Sequence, residues 1–256
     1  MIDLHNHLLW GLDDGPRDCA RSVAMLQAAR ASGVSQIVCT PHLFHPGFAG
    51  VRMDDARSRL AELQPETEIR LILGGEHYLS SDFVQALADN GRAMLHTIRD
   101  LFILVEFGPF SQPATTGNIL RRLRELGLFP LIAHPERYES GKRLLHWMSA
   151  LKEQGCLLVV NTRSLMGVDG RKCERAAREL ISHGLIHCVA SDAHAPEDLA
   201  SHYPDCLAWI EREYGSRVAK LLFIVNPWLI AQGRLPVDFA DSDQLDRILS
   251  QGGCNA

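Results

Sequence analysis

Nine side chains of metal-ligand type stand at matching places along a 256-residue chain, each just after a short apolar run. His5 and His7 follow Ile2–Leu4, with Asp14 in the next loop. His42 follows Gln36–Cys39, and Glu76 follows Ile69–Leu73, just past Gly74-Gly75. Glu106 follows Leu101–Val105, His134 follows Phe129–Ile132, and Asp192 and His194 follow His187–Ala190. Asn161, after Leu157–Val160, is polar but a poor ligand. His5 and His7 are two residues apart, so on an extended segment both side chains point the same way; Asp192 and His194 repeat that spacing. Five imidazoles and four carboxylates exceed what a single ion takes, about four ligands for zinc and about six for manganese. Several ions sharing carboxylates are expected. The mixed donor set suits manganese, iron or zinc, and no thiolate set asks for zinc specifically.

Taken singly, each residue has a plainer explanation. A lone histidine near a strand end is ordinarily a loop or structural residue, and Asp14 lies in Asp13-Asp14-Gly15-Pro16, a good turn sequence. The argument for a site is that nine such coincidences would be needed together. His45, His77, His96, His146, His183, His187 and His202 have no such support and are read as structural, with His77 near enough to Glu76 to reach the site.

The elements that must position these residues are legible too. Seven nearly continuous apolar runs read as parallel strands buried on both faces, alternating with helical segments. One helix starts at its cap Asp18 and stops before Gly33; others cover about Thr116–Leu126 and Lys172–His183. The stretch Pro46–Pro65 mixes loop with a short helix, and Pro204 interrupts or begins a helix reaching about Tyr214. The fold class is α/β, and in a barrel of parallel strands the C-terminal strand ends open onto one face where loops converge. No repeat or linker divides residues 1–256, so one domain is expected, with a partly loose tail over about 237–256.

Composition removes other readings. With 46% hydrophobic and 22% charged residues the chain is neither disordered, collagen-like nor coiled-coil. Lys+Arg 26 against Asp+Glu 31, without a basic block, offers no nucleic-acid footprint. No apolar run approaches the roughly 20 residues of a membrane span, and the start Met-Ile-Asp-Leu-His lacks a secretory pattern. Seven cysteines without paired spacing suit reduced thiols, so a cytoplasmic location is expected.

The motifs IDLHNHLLWGLDDGP, TPH at Thr40–His42, GGEHY at Gly74–Tyr78, LVEF at Leu104–Phe107, IAHPERY at Ile132–Tyr138 and ASDAH at Ala190–His194 resemble the PHP (polymerase and histidinol phosphatase) superfamily. Within it they are most similar to the bacterial manganese-dependent protein-tyrosine phosphatases of capsule and exopolysaccharide biosynthesis, a likeness that runs to VNPWLIAQGRLP near residue 236. The resemblance implies a distorted (β/α)7 TIM-like barrel and three metal ions. One ion would take His5, His7, Glu76 and Asp192; a second Glu76, Glu106 and His134; a third Asp14, His42 and His194. It also implies hydrolysis of phosphotyrosine on protein, the partner being a polysaccharide-assembly tyrosine kinase. Clustered divalent ions lower the pKa of bound water towards about 7 and neutralise charge on phosphoryl oxygens, which suits that reaction. Arg137, three residues past His134, can fork onto two phosphate oxygens. His194 or Asp14 would protonate the leaving group. The chain departs from the family after ASDAH: the continuation Ala195–Ser201 holds no arginine, and Arg163 is a candidate for that role.

Three rivals compete, of which the first is treated as coincidence and the second falls behind. Cys206 to Arg212, CLAWIER, matches the spacing of a cysteine phosphatase but lacks glycine and reads as helix, where free N–H donors are missing. An amidohydrolase would place a carboxylated lysine where this chain has Glu106. A small-molecule phosphatase acting on histidinol phosphate would share the fold and the site. A metal-stabilised binding protein without turnover ranks behind these, because no ligand has been lost.

Overall fold

The structure is a computed structural model that describes residues 1–108, 111 and 113–250. Nine strands are formed: β1 (Ile2–Asn6), β2 (Gln36–Cys39), β3 (His42–Leu43), β4 (Arg70–Leu73), β5 (Glu76–Tyr78), β6 (Phe102–Glu106), β7 (Phe129–Ala133), β8 (Leu157–Asn161) and β9 (Cys188–Ala190). They pair in parallel as β1-β2-β4 and β3-β5-β6-β7-β8-β9. The seven expected strands are all present. Two of them are longer than expected: β2 resumes as β3 after Thr40-Pro41, and β4 resumes as β5 after Gly74-Gly75. A parallel bridge between Asn6 and Ala193, with the His7 N–H donating to the Ala193 carbonyl at 3.0 Å, links the end of β9 back to β1. The result is the distorted α/β barrel that the sequence led us to expect.

The alternation of side chains along the strands sorts the core into two clusters. Leu4, Val38, Phe102, Leu104, Leu131, Val159 and Ala190 pack together inside the barrel, whereas Ile37, Ile103, Val105, Ile132, Leu158, Val160 and Val189 pack with the helices. Both faces are apolar because both are covered. Gly74 belongs to an inward row, and a Cβ there would lie 3.0 Å from Val38 Cγ1; a Cβ on Gly75 would lie 2.5 Å from Leu43 Cδ1. A side chain at either glycine would have to displace Val38 or Leu43, so the interruption between β4 and β5 is built where strand and core approach closely.

Helix ends follow the expected chemistry. Asp18 caps Cys19–Ala31 by accepting from the Arg21 N–H at 2.9 Å, and Gly33 leaves that helix at φ 80°. Helix Pro113–Glu125 starts earlier than expected, and Arg171–Ser182 agrees to within a residue. The stretch Pro46–Pro65 holds a 3₁₀ turn at Pro46–Phe48 and a full helix at Met53–Leu63; Pro204 sits in the first turn of Tyr203–Tyr214, which continues directly from a π-helical turn at Asp198–His202, so it interrupts a longer helical segment. The tail is a correction. Val237 is buried and Ser242–Ser250 is helical, with Leu245 and Ile248 three residues apart packing into a cluster with Leu221, Val225 and Leu229. Residues 251–256, also expected to be loose, lie outside the described residues. Among the described residues six cysteines are free, and no helix is long and apolar enough to cross a membrane.

Candidate metal centre

The inward rows that build the barrel interior end in the candidate ligands. Val38 leads through Thr40 to His42, Ile72 through Gly74 to Glu76, Leu104 to Glu106, Val159 to Asn161, and Ala190 to Asp192, each step keeping the two-residue period. His5, His7 and His134 break that period, and each break has a backbone cause. The β1–β2 register shifts between Asp3 and Asn6, and His134 adopts a left-handed backbone at φ 33°. Asp192 is also left-handed, at φ 51°. Non-glycine residues in that region cost about 1–3 kcal/mol and cluster at functional sites.

All nine predicted residues converge. Glu76, fully buried, lies at the middle: its Oε1 is 3.3 Å from His5 Nε2 and 3.1 Å from His134 Nε2, and its Oε2 is 3.4 Å from His7 Nε2 and 3.0 Å from His42 Nδ1. Asp192 Oδ1 lies 3.3 Å from His5 and 3.5 Å from His7, and Glu106 lies 3.6 Å from His42 and 3.7 Å from His134. Towards the opening, Asp14 Oδ1 stands 3.5 Å from His42 Nε2 and 3.1 Å from His194 Nε2. Three groups bring ligand atoms close enough to hold an ion: His7, Asp14, His42 and His194; His5, His7 and Asp192; and His42, Glu76 and Glu106. The last differs from the implied second set, with His42 in the place of His134.

These residues fit metal for a reason independent of their spacing. His5 Nδ1, His42 Nδ1, Glu76 Oε2, Glu106 Oε2 and the side-chain oxygens of Asn6 and Asn161 are buried without a hydrogen-bond partner. Buried polar atoms are ordinarily paired, so unpaired atoms on four of the nine candidate ligands leave a place for a cation. Charge says the same. Burial alone would raise the Glu76 carboxyl; His5, His134 and His42 override it and hold it well below the usual range. Its neighbour Glu106 is pushed up to about 8 by burial and by the Glu76 charge. Burial opposes a proton on His42, but the facing Asp14 and Glu76 carboxylates raise it to about 9. Positive charge is being drawn in from whatever source is at hand.

The centre opens into a cleft of about 740 Å³ lined by Asp14, His42, Glu106, His134, Asp192 and His194 together with Arg137 and Arg163. Arg137 reaches Asp192 at 3.1 Å and Asp169 at 3.2 Å, with about a third of its side chain exposed to the cleft. Arg163 also pairs with Asp169, at 3.2 Å, and with Asp198 at 2.5 Å.

Sequence reasoning passed over several supporting groups. Asp13 accepts from His7 Nδ1 at 2.9 Å and from the His42 N–H at 3.0 Å, tying two ligands from different strands; the doubled Asp13-Asp14 was its only signal. Tyr138 donates to the Ala133 carbonyl at 2.8 Å, accepts from the Phe107 N–H at 3.1 Å, and lies 3.3 Å from His134 Nδ1. Asp198 accepts from the N–H groups of His194 and Ala195, both at 3.0 Å. His77 does not face the site: Nδ1 donates to the Leu104 carbonyl at 3.1 Å and Nε2 accepts from the His96 N–H at 3.2 Å. Cys206 is buried inside helix Tyr203–Tyr214, and burial pushes its thiol up, the reverse of what a nucleophile needs.

Known proteins supply the remaining comparison. The family model described as "Capsular polysaccharide synthesis, CpsB/CapC" matches residues 1–232. Tyrosine-protein phosphatase YwqE of Bacillus subtilis is 32% identical over 229 residues, covering 87% of this chain and 88% of its own. Tyrosine-protein phosphatase CpsB of Streptococcus pneumoniae is 28% identical over 244 residues, covering 92% and 100%. Among solved structures, one from the work on those two proteins, described as unique metal-dependent tyrosine phosphatases, superposes with a TM-score of 0.77 at 29% identity, covering 93% of this chain and 100% of its own. An adenine deaminase from Arthrobacter aurescens, at TM-score 0.54 and 14% identity over 99% of both chains, shares the fold alone.

Proposed function

The chain belongs to the CpsB/CapC family of capsular polysaccharide synthesis, and from that premise we propose that it is a metal-dependent phosphoric monoester hydrolase acting on phosphotyrosine in protein. The carrying observation is the set of nine acidic and imidazole side chains at the strand ends, whose ligand atoms fall into three groups close enough to hold an ion beside an open cleft.

The residues proposed to hold metal are His5, His7, Asp14, His42, Glu76, Glu106, His134, Asp192 and His194, with Glu76 shared between ions. Manganese is the proposed ion, about three per chain, and the donor set also accepts iron or zinc. Bound there, divalent ions supply an activated water to attack phosphorus and neutralise charge gathering on the phosphoryl oxygens. The chain does the rest. Arg137, held flat between Asp169 and Asp192, presents its remaining N–H groups to two phosphate oxygens. His194 donates from Nδ1 to the Asp192 carbonyl at 2.8 Å, which keeps Nε2 turned to Asp14 at the cleft mouth, where a leaving phenolate would depart. A phenol of pKa about 10 asks little of an acid, so with Nε2 and the Asp14 carboxylate given to metal the departing phenolate would take its proton from water. Arg163, spent on Asp169 and Asp198, supports the cleft wall and gives the cleft a second guanidinium. The proposed substrate is the phosphotyrosine-bearing part of a polysaccharide-assembly tyrosine kinase, met in the cytoplasm by a single domain spanning residues 1–256.

The test is phosphate release from a phosphotyrosine peptide and from histidinol phosphate, side by side, after chelation and after manganese is restored. Manganese-dependent turnover of the peptide alone is expected. Turnover of histidinol phosphate alone would overturn the substrate and keep the metal centre.

A further inference from the structure

A second cavity adjoins the cleft. Its volume is about 710 Å³, and it shares His45 and Phe48 with the cleft as a common wall. The two rings stand 4.9 Å apart; Phe48 stacks on His42 at 5.0 Å, and His45 meets Tyr78 edge-on at 4.8 Å. Beyond that wall most of the lining is apolar, with Phe44, Val51, Met53 and Met94 on it, and Ser80, Ser81, Asp82 and His96 make up its polar part. Phe44 is held there at φ 59°, a conformation costly for a bulky residue, with its ring packed at 81° against Phe83.

A small phosphate ester would occupy the cleft and leave the second cavity empty. A polypeptide would not stop there, since an extended chain advances about 3.3–3.6 Å per residue and the two spaces are separated by one layer of rings. An occupant must be joined to a phosphoryl group on one side of His45 and Phe48 and be apolar on the other. A phosphorylated polypeptide meets both conditions. We propose that the second cavity receives an aliphatic or aromatic side chain lying within three residues of the phosphotyrosine, so that the enzyme selects its site by a neighbour as well as by the phosphate. This rests on the reading of the cleft as a phosphotyrosine site.

The experiment uses the manganese-loaded full chain and three probes. These are p-nitrophenyl phosphate, phosphotyrosine peptides with serine at the three positions on either side, and the same peptides with leucine or phenylalanine introduced at one position at a time. At one flanking position the apolar residue should raise kcat/KM about tenfold, mostly through KM. Val51→Arg should erase that preference while p-nitrophenyl phosphate turnover stays unchanged. Ala49→Glu, at an exposed residue of the same cavity, should do likewise without touching the core. Equal turnover of all flanking sequences by the unmodified chain would overturn the inference and leave the phosphatase reading standing, as would a preference that survives both substitutions. Absence of turnover on every phosphotyrosine probe would overturn both.

Discussion

The two ends of the barrel use the same residue types to opposite purpose. At the C-terminal strand ends, buried histidines and carboxylates crowd together with atoms left unpartnered, and the backbone is bent into left-handed conformations at His134 and Asp192. At the other end, before β9, His187 is equally buried but satisfied. Its N–H donates to the Leu158 carbonyl at 2.9 Å, and its Nδ1 accepts from the Leu158 N–H at 3.0 Å. Asn226 beside it donates to the His187 and Val237 carbonyls and accepts from the Val237 N–H. Burial therefore does not distinguish a ligand histidine from a structural one here. The difference lies in the partners: each ligand histidine turns a ring nitrogen to a carboxylate, whereas His187 and His77 pair with backbone. His77 makes the point within one dipeptide, since its neighbour Glu76 is the hub of the cluster while His77 has both nitrogens paired.

The largest effect should come from removing a ligand at the unsatisfied end. His42→Ala or Glu106→Ala should bring turnover to background while the far-ultraviolet circular dichroism of the metal-free protein stays that of a folded barrel. Retained activity in either variant would take that residue out of the required set. Arg137 should come next. Replacement by Ala removes two charge-assisted hydrogen bonds worth about 1.5–3 kcal/mol each, so kcat/KM should fall about a hundred- to ten-thousandfold. Arg137→Lys should recover little of this, because an ammonium cannot bridge two oxygens in a plane. Full recovery with Lys would show that only charge matters there.

Much of the upper end was legible because ligands terminate apolar strands, a pattern that survives without any structure. His42, Glu76, Glu106 and Asp192 sit on inward rows whose period runs through the strand and out of its end. What was not legible depends on loops folding back. Asp13 and Asp14 are indistinguishable by type and adjacent in sequence, yet only Asp14 faces the opening, while Asp13 turns inward to His7 and His42. Asp169 and Asp198 gather two arginines across distances the sequence does not encode. The splitting of β2 from β3 and β4 from β5 is a matter of hydrogen-bond register, which apolar patterning does not report. The helix at Ser242–Ser250 was passed over although Leu245, Ile248 and Leu249 stand at helical spacing, because the segment is short and otherwise polar.

Asp13 lies between the two regimes, a satisfied group supporting unsatisfied ones, and its loss should have an intermediate effect. Carboxylates that orient metal-bound imidazoles typically contribute 10–100-fold in metal affinity. Asp13→Asn should weaken manganese binding by about that factor in direct titration, with turnover largely restored at saturating metal. Unchanged affinity would mean that Asp13 serves the loop rather than the ligands. Cys206→Ser should leave turnover unaltered, since the thiol is buried within a helix.

The smallest effect on activity, and the sharpest on the comparison, belongs to His187. Burial lowers its pKa from the usual 6.5 to about 3, so between those values the unfolded chain binds a proton that the folded one refuses. Stability from this residue is complete above about pH 6.5 and is lost as pH falls towards 3. His187→Asn keeps an acceptor for the Leu158 N–H and removes the titration. In chelator, where the metal ligands of both proteins titrate alike, urea unfolding between pH 6.5 and 4 should show the variant losing stability less steeply, by up to about 1.4 kcal/mol per pH unit. The variant should be less stable than the parent at pH 7, because an imidazole filling the site packs better than an amide, and the gap should close as the solution is acidified. Manganese-dependent turnover at pH 7 should not change, because the residue stands at the end of the barrel away from the cleft. Parallel stability curves would mean that His187 is protonated in the folded state after all, and with it would go the contrast between a histidine paired with backbone and one turned to carboxylates.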